Sequence, residues 1–197
     1  MNRHTVSSVN PHMMEALERF KFLFHSIPLQ GMAAEVDTFR PGLLVVEGFD
    51  SANKTHTSNV VNGTKHPLVG SSLENNPYEI LKTFLQLIHE DGAIIIGYKG
   101  KLERIGARLL NNVEPEDVAL FFGREISEME WETLGFAHPA NTRHVNALYA
   151  SFIMKGTTAY TLSAKTGEIR AYKDGKIIES SVPEELYFNN LLPELSL

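Results

Sequence analysis

Residues 89–97 read HEDGAIIIG: the polar end of one element, a two-residue turn, and then Ala and three Ile closed by Gly97. Three β-branched residues in a run this short specify a strand, and because they do not alternate with polar residues the strand is buried on both faces. The turn is Asp91-Gly92, a good turn dipeptide. Upstream, Asn76-Pro77-Tyr78-Glu79 is a well-formed helix start: Asn caps, Pro takes the first helical position, and Glu79 can reach back as in a capping box. Leu81, Phe84, Leu85 and Ile88 then form an i, i+3, i+4, i+7 stripe. A helix running straight into a buried strand means layers, with helices packed on a sheet.

Working outward, residues 98–101 (YKGK) turn into residues 102–110, read as a further strand. Residues 42–47 (GLLVVE) form the first strand of the main sheet. Between that strand and Asn76, the composition shifts to Ser, Thr, Asn, Gly and Lys, a long loop with one hairpin signal at Asn62-Gly63. Nearer the N-terminus, Asn10-Pro11 starts an amphipathic helix whose apolar residues are Met13, Leu17, Phe20, Phe24 and Ile27. That stripe is core, with a partner-binding face as its alternative.

Residues 113–135 are acidic, hold the only Trp, Trp131, and read as a surface insertion with a charged outer face. Asn141 or Thr142 then caps a helix with the stripe Val145, Leu148, Tyr149 and Phe152. Residues 158–163, 168–172 and 176–179 are strand-like and separated by glycine turns, a meander of two hairpins. Residues 183–192 form a short helix or a packing tail. The expected class is α/β, a mixed central sheet with helices on both faces and an N-terminal amphipathic helix.

Composition narrows the chemistry. At 197 residues with 43% hydrophobic and 21% charged side chains, the chain is of ordinary globular make-up. It has no cysteine, so disulfides, zinc–thiolate sites and thiol nucleophiles are excluded. No apolar run approaches the ~20 residues a bilayer needs and no signal peptide is apparent, so the expectation is a cytoplasmic protein without a membrane segment. A net charge of −6 argues against broad binding to nucleic acid. The glycine loops G-x-x-x-x-G-K-[ST] and G-x-G-x-x-G are absent.

Two places could carry chemistry. Asp91, at a helix-to-strand junction, could hold a divalent cation or a hydroxyl, with Gly92 allowing close backbone approach; the plain alternative is a good turn. Thr142-Arg143-His144 concentrates a hydroxyl, a guanidinium and an imidazole at a helix N-terminus, which suits a triphosphate; the plain alternative is a cap with surface charges.

Taken in order, GLLVVEG, YEILKTFLQLIHE, DGAIIIGYKGKLERIGARLL, TRH and AYTLSAKTGEIRAYKDGKI resemble the diadenylate cyclase domain, found in the DNA-integrity-scanning protein and related bacterial cyclases, over roughly residues 42–178. The expected organisation is an N-terminal helical segment, 1–40, followed by a diadenylate cyclase-like nucleotide-binding domain, 41–197, with an acidic insertion near 113–135. The resemblance implies a homodimer meeting face to face, each copy holding one ATP, in which two ATP become cyclic di-AMP and pyrophosphate with Mg²⁺ or Mn²⁺. Carried over by position, Asp91, Arg143 and His144 are catalytic, and Asp91 also holds the metal. Gly92 and Ala93 lie under the nucleotide, Leu109 meets the adenine, and Thr142 joins Arg143 and His144 at the phosphates.

The family motif runs Gly-Thr-Arg-His-Arg; here Asn141 stands for the Gly and Val145 for the second Arg. Val cannot replace a bidentate guanidinium. Arg108, Lys155 and Lys65 are the cations that could supply the charge instead. Two further functions stand beside the cyclase: a non-catalytic nucleotide sensor on the same fold, and a protein-interaction domain.

Overall fold

Short β-branched and aromatic runs between glycine turns become strands here as expected. The computed structural model describes residues 9–25, 41–50, 57–59, 66–89, 92–109, 118 and 131–191. Asp91, the Asn62-Gly63 turn and all of residues 113–130 except Val118 lie outside them.

Seven strands form one sheet: β1 (Leu43–Phe49), β2 (Thr57–Asn59), β3 (Ala93–Gly97), β4 (Leu102–Leu109), β5 (Thr158–Leu162), β6 (Ile169–Lys173) and β7 (Lys176–Ser180). Their order is β2-β4-β3-β1-β5-β6-β7. The central pair β1 and β3 is parallel, with Val45 beside Ile94, and every other neighbouring pair is antiparallel. A parallel pair needs a crossover, and helix α2 (Pro77–Gln86) lies on it. The expected meander is β5-β6-β7; its second turn is Asp174-Gly175, both with positive φ (49° and 73°), the conformation that matches strand twist in a two-residue hairpin. In the long loop, residues 57–59 add to the sheet edge by pairing with residues 107–109 of β4.

Side chains of the central strands alternate between two cores. Leu43 and Val45 of β1, with Ile94 and Ile96 of β3, meet α1 (Pro11–His25) and α2. Leu44 and Val46, with Ala93 and Ile95, meet α3 (Thr142–Ile153). Helix α4 (Pro183–Leu191) packs beside β7 on the α3 side. The fold is thus mixed α/β with helices on both faces.

Met13, Leu17 and Phe20 of the first stripe are fully buried in the protein's own core, Phe20 edge-on to Phe84 of α2 at 6.2 Å. Its cap, Asn10, accepts from the His12 amide at 3.0 Å and donates to Glu47 at 2.8 Å, tying the helix start to β1. Leu134, near the end of the acidic stretch, and Phe136, just after it, have no exposure, and Trp131 packs against Phe136 at 6.3 Å.

Candidate functional site

A cleft of about 540 Å³ opens where β1, β3 and β4 meet the start of α3. One wall is apolar and belongs to the sheet: Leu44, Ala93, Ala107 and Leu109. The other is polar and belongs to α3: Asn141, Thr142, Arg143 and Asn146. An apolar wall facing a few convergent polar groups is the usual build of a small-molecule site.

Glycines make the sheet side of the cleft possible. Gly92 has φ 101°, and a Cβ there would lie 2.7 Å from the Gly106 carbonyl carbon. Gly106, itself at φ 67°, sits in a bulge: Ala93 pairs with Ala107 but Ile95 with Arg104, so β4 carries one extra residue. Bulges of this kind re-aim a strand. Beyond it, Arg108 enters the cleft lining between Ala107 and Leu109.

The start of α3 is capped by Asn141, whose Oδ1 accepts from the Arg143 amide at 3.1 Å and the His144 amide at 3.3 Å. Two first-turn amides are thereby used, so the donors this turn leaves to a ligand are the Asn141 Nδ2, the Thr142 amide and hydroxyl and the Arg143 guanidinium. That guanidinium crosses Gly42 at the entry to β1, where any Cβ would overlap its Nη1. Among the described residues neither Arg108 nor Arg143 is ion-paired, and the cleft lining holds no carboxylate. The described part of the cleft is therefore positive.

His144 does not line this cleft. It is 3% exposed, with Nδ1 3.4 Å from the Asn141 amide and Nε2 3.4 Å from Arg170 Nη1. Burial, then the charges of Arg170 and Arg143, push its pKa down to about 3, so the ring is neutral. Arg170 continues the network inward. Its Nε and Nη2 donate to the two Glu185 oxygens at 2.7 Å each, and Nη2 also to Glu168 at 2.9 Å. Burial opposes the charge on Arg170, but the Glu185 hydrogen bonds and the nearby carboxylates outweigh it and raise the pKa above the ordinary value. Glu185 further accepts from Ser180 Oγ at 2.6 Å and the Ala137 amide at 3.2 Å. The imidazole thus belongs to a polar network joining α3, β6, β7 and α4, one layer behind the phosphate position assigned to it from sequence.

Of the other residues singled out from sequence, Gly92, Ala93, Leu109, Thr142 and Arg143 share the one cleft, and Asp91 lies outside the described residues. Val145 has no exposure and packs in the core, so its position points no side chain at the cleft. Of the three alternative cations, Arg108 lines the cleft; Lys155 stands 4.7 Å over the Phe152 ring at the far end of α3, and Lys65 is outside the described residues. Asn146, Arg170 and Glu185 were missed. The first was findable as the residue one turn after Thr142 on the same helix face. Arg170 lies in phase with Tyr172 on a strand, so a charge on the buried face was findable too, but its partner Glu185 was not, being 15 residues away on another element.

No group of three or more His, Asp or Glu side chains converges among the described residues. The neutral oxygens of Asn141, Thr142 and Asn146 do not by themselves make a Mg²⁺ site, which ordinarily needs one or two carboxylates plus substrate phosphates. Asp91, next to Gly92 in the chain, is the carboxylate that could complete such a set.

No family model and no curated protein matches the sequence. Among solved structures, a double mutant of DacA from Staphylococcus aureus is similar over 91% of this chain and 92% of that one, at 15% identity and a TM-score of 0.47. A hypothetical membrane spanning protein from Bacillus cereus is similar over 84% of this chain and 60% of that one, at 12% identity and a TM-score of 0.49. Among the described residues, no helix is long and apolar enough to cross a membrane.

Proposed function

We propose that the cleft binds ATP and that the protein is a diadenylate cyclase, two copies meeting face to face so that two ATP condense. The observation that carries this reading is the pairing, in one cleft, of two guanidiniums that have no carboxylate partner among the described residues with an apolar strip on the sheet. Phosphates fit the first and a base the second.

In this reading Arg143, Arg108 and the Thr142 amide and hydroxyl bind the phosphates, while Leu44, Ala93 and Leu109 hold the base. The 3′-oxygen of one ATP bonds to the α-phosphorus of the other, the bond to the bridging oxygen of pyrophosphate breaks, and the 3′-hydroxyl proton is released. Repetition in the other direction closes cyclic di-AMP. Nucleotidyl transfer of this kind depends on alignment and on cations at the developing charge, which is what guanidiniums in a fixed geometry supply. Asp91 would hold Mg²⁺ or Mn²⁺, whose part is to neutralise phosphate charge. His144 acts as a positioning residue: its buried ring, lying against Phe136 and Arg170, packs the start of α3, and with it Thr142 and Arg143, against β6.

One observation favours a second reading, a nucleotide sensor without catalysis. The position of the family's second Arg is the buried Val145, so the phosphate site has fewer cations than the resemblance implies. The deciding experiment is incubation of the purified protein with ATP and Mg²⁺ or Mn²⁺ followed by mass analysis. Cyclic di-AMP that disappears in Asp91→Asn supports the cyclase. Calorimetric binding of ATP without product selects the sensor, and no binding overturns both.

A further inference from the structure

Asn146 stands four residues after Thr142 on α3, and both line the cleft. Its Oδ1 is shut off from solvent and has no hydrogen-bond partner, the one buried side-chain oxygen or nitrogen among the described residues in that condition. Packing does not account for it. Asn is a poor helix-interior residue because its amide competes with the backbone, and an unpaired buried acceptor is destabilising. Asn146 as a residue is only half-buried and lines the cleft, so a turn of its side chain about χ2 brings this oxygen to the cleft, where a ligand donor satisfies it.

We propose that Asn146 Oδ1 accepts a hydrogen bond from a ribose hydroxyl of the bound nucleotide, making Asn146 the residue that selects ribonucleotides. This rests on the nucleotide reading of the cleft and adds a specificity determinant to it. Position along the helix chooses the sugar over the base. At 1.5 Å rise per residue, Asn146 lies about 6 Å further along α3 than Thr142, where the phosphates are held. The group bonded directly to the α-phosphate is the ribose; the base is one link further away and goes to the apolar strip of Leu44, Ala93 and Leu109. A site built to pair a ligand hydroxyl rejects the analogue lacking it, because its own polar group is then left unpaired.

The test is calorimetric titration of ATP, 2′-deoxy-ATP and 3′-deoxy-ATP, with Ca²⁺, into the full chain and into Asn146→Ala and Asn146→Asp. Ala is the better helix former, so the first variant folds. The wild type should prefer ATP to one of the two deoxy analogues by about tenfold or more, and which one identifies the hydroxyl. Asn146→Ala should lose that preference by weakening for ATP alone, and Asn146→Asp, which keeps an acceptor oxygen, should retain it. A wild type indifferent to both hydroxyls, or an Asn146→Ala that still discriminates, overturns this proposal while leaving nucleotide binding standing. A wild type that binds none of the three overturns the nucleotide reading and this proposal with it.

Discussion

His144 Nε2 and Arg170 Nη1 lie 3.4 Å apart in a setting that keeps the imidazole uncharged, its pKa pushed down to about 3 by burial and then by Arg170 and Arg143. A neutral imidazole carries one N–H, so it accepts from the Asn141 amide or from Arg170 but not from both. In the unfolded chain His144 returns to its ordinary 6.5, so between that pH and about 3 the unfolded state holds a proton that the native state does not. Stability from this group is complete above pH 6.5 and falls with acidification by about 1.4 kcal/mol per pH unit. Urea unfolding near neutral pH and near pH 5 measures it. His144→Gln still offers an acceptor to the cap amide and should flatten the slope relative to wild type; equal slopes would refute the assignment.

The Arg170–Glu185 pair is bidentate and closed to water, with 2% and 0% side-chain exposure. Removing one partner of a buried pair typically costs about 3–5 kcal/mol, because the other charge is left without compensation. Arg170→Met should therefore destabilise by that amount in denaturant titration, stranding Glu185 between Ser180 and the Ala137 amide. The double variant Arg170→Met with Glu185→Leu should recover part of the loss. A double variant less stable than the single one would mean that the pair contributes through packing rather than through charge.

What was legible in the sequence is what local rules control. The AIIIG strand, the Asn76-Pro77 helix start and the Asp174-Gly175 hairpin each depend on a few neighbouring residues, and each lies where expected. The cleft was half legible: Gly92, Thr142 and Arg143 carry local signals, whereas the approach of Arg108 depends on a bulge at Gly106 that pattern alone does not reveal. His144 shows the limit most plainly. A histidine at a helix start looks like a phosphate ligand until Arg170 and Phe136, from distant parts of the chain, enclose it.

Gly92 stands at the junction of cleft and sheet. Its φ of 101° is costly for any L-residue, about 1–3 kcal/mol, and a Cβ would press on the backbone of Gly106 and Ala107, which cannot yield without moving the bulge. Gly92→Ala should thus lower stability by more than the conformational term alone, and disturb the amide signals of Ala93 and Ala107 together. Loss of signals near Gly92 only, with β4 unchanged, would mean that the bulge is held independently.

Arg143 reaches the cleft across Gly42, and Arg108 reaches it from β4, so the two guanidiniums depend on different supports. A hydrogen bond to a charged group contributes about 1.5–3 kcal/mol, so Arg143→Ala and Arg108→Ala should each weaken ATP binding by about tenfold to a hundredfold. Gly42→Ala tests the support alone. Its Cβ overlaps the flexible end of Arg143 and also comes to 3.0 Å from the Leu162 carbonyl oxygen and 3.1 Å from the Ala164 Cβ, so the guanidinium is displaced and affinity falls toward that of Arg143→Ala, with some loss of stability from the two rigid contacts. Calorimetry for affinity and thermal unfolding for stability separate the two effects. If Gly42→Ala binds ATP as tightly as wild type, Arg143 does not contact the phosphates from its position over Gly42; if both arginine variants bind normally, the phosphates lie elsewhere.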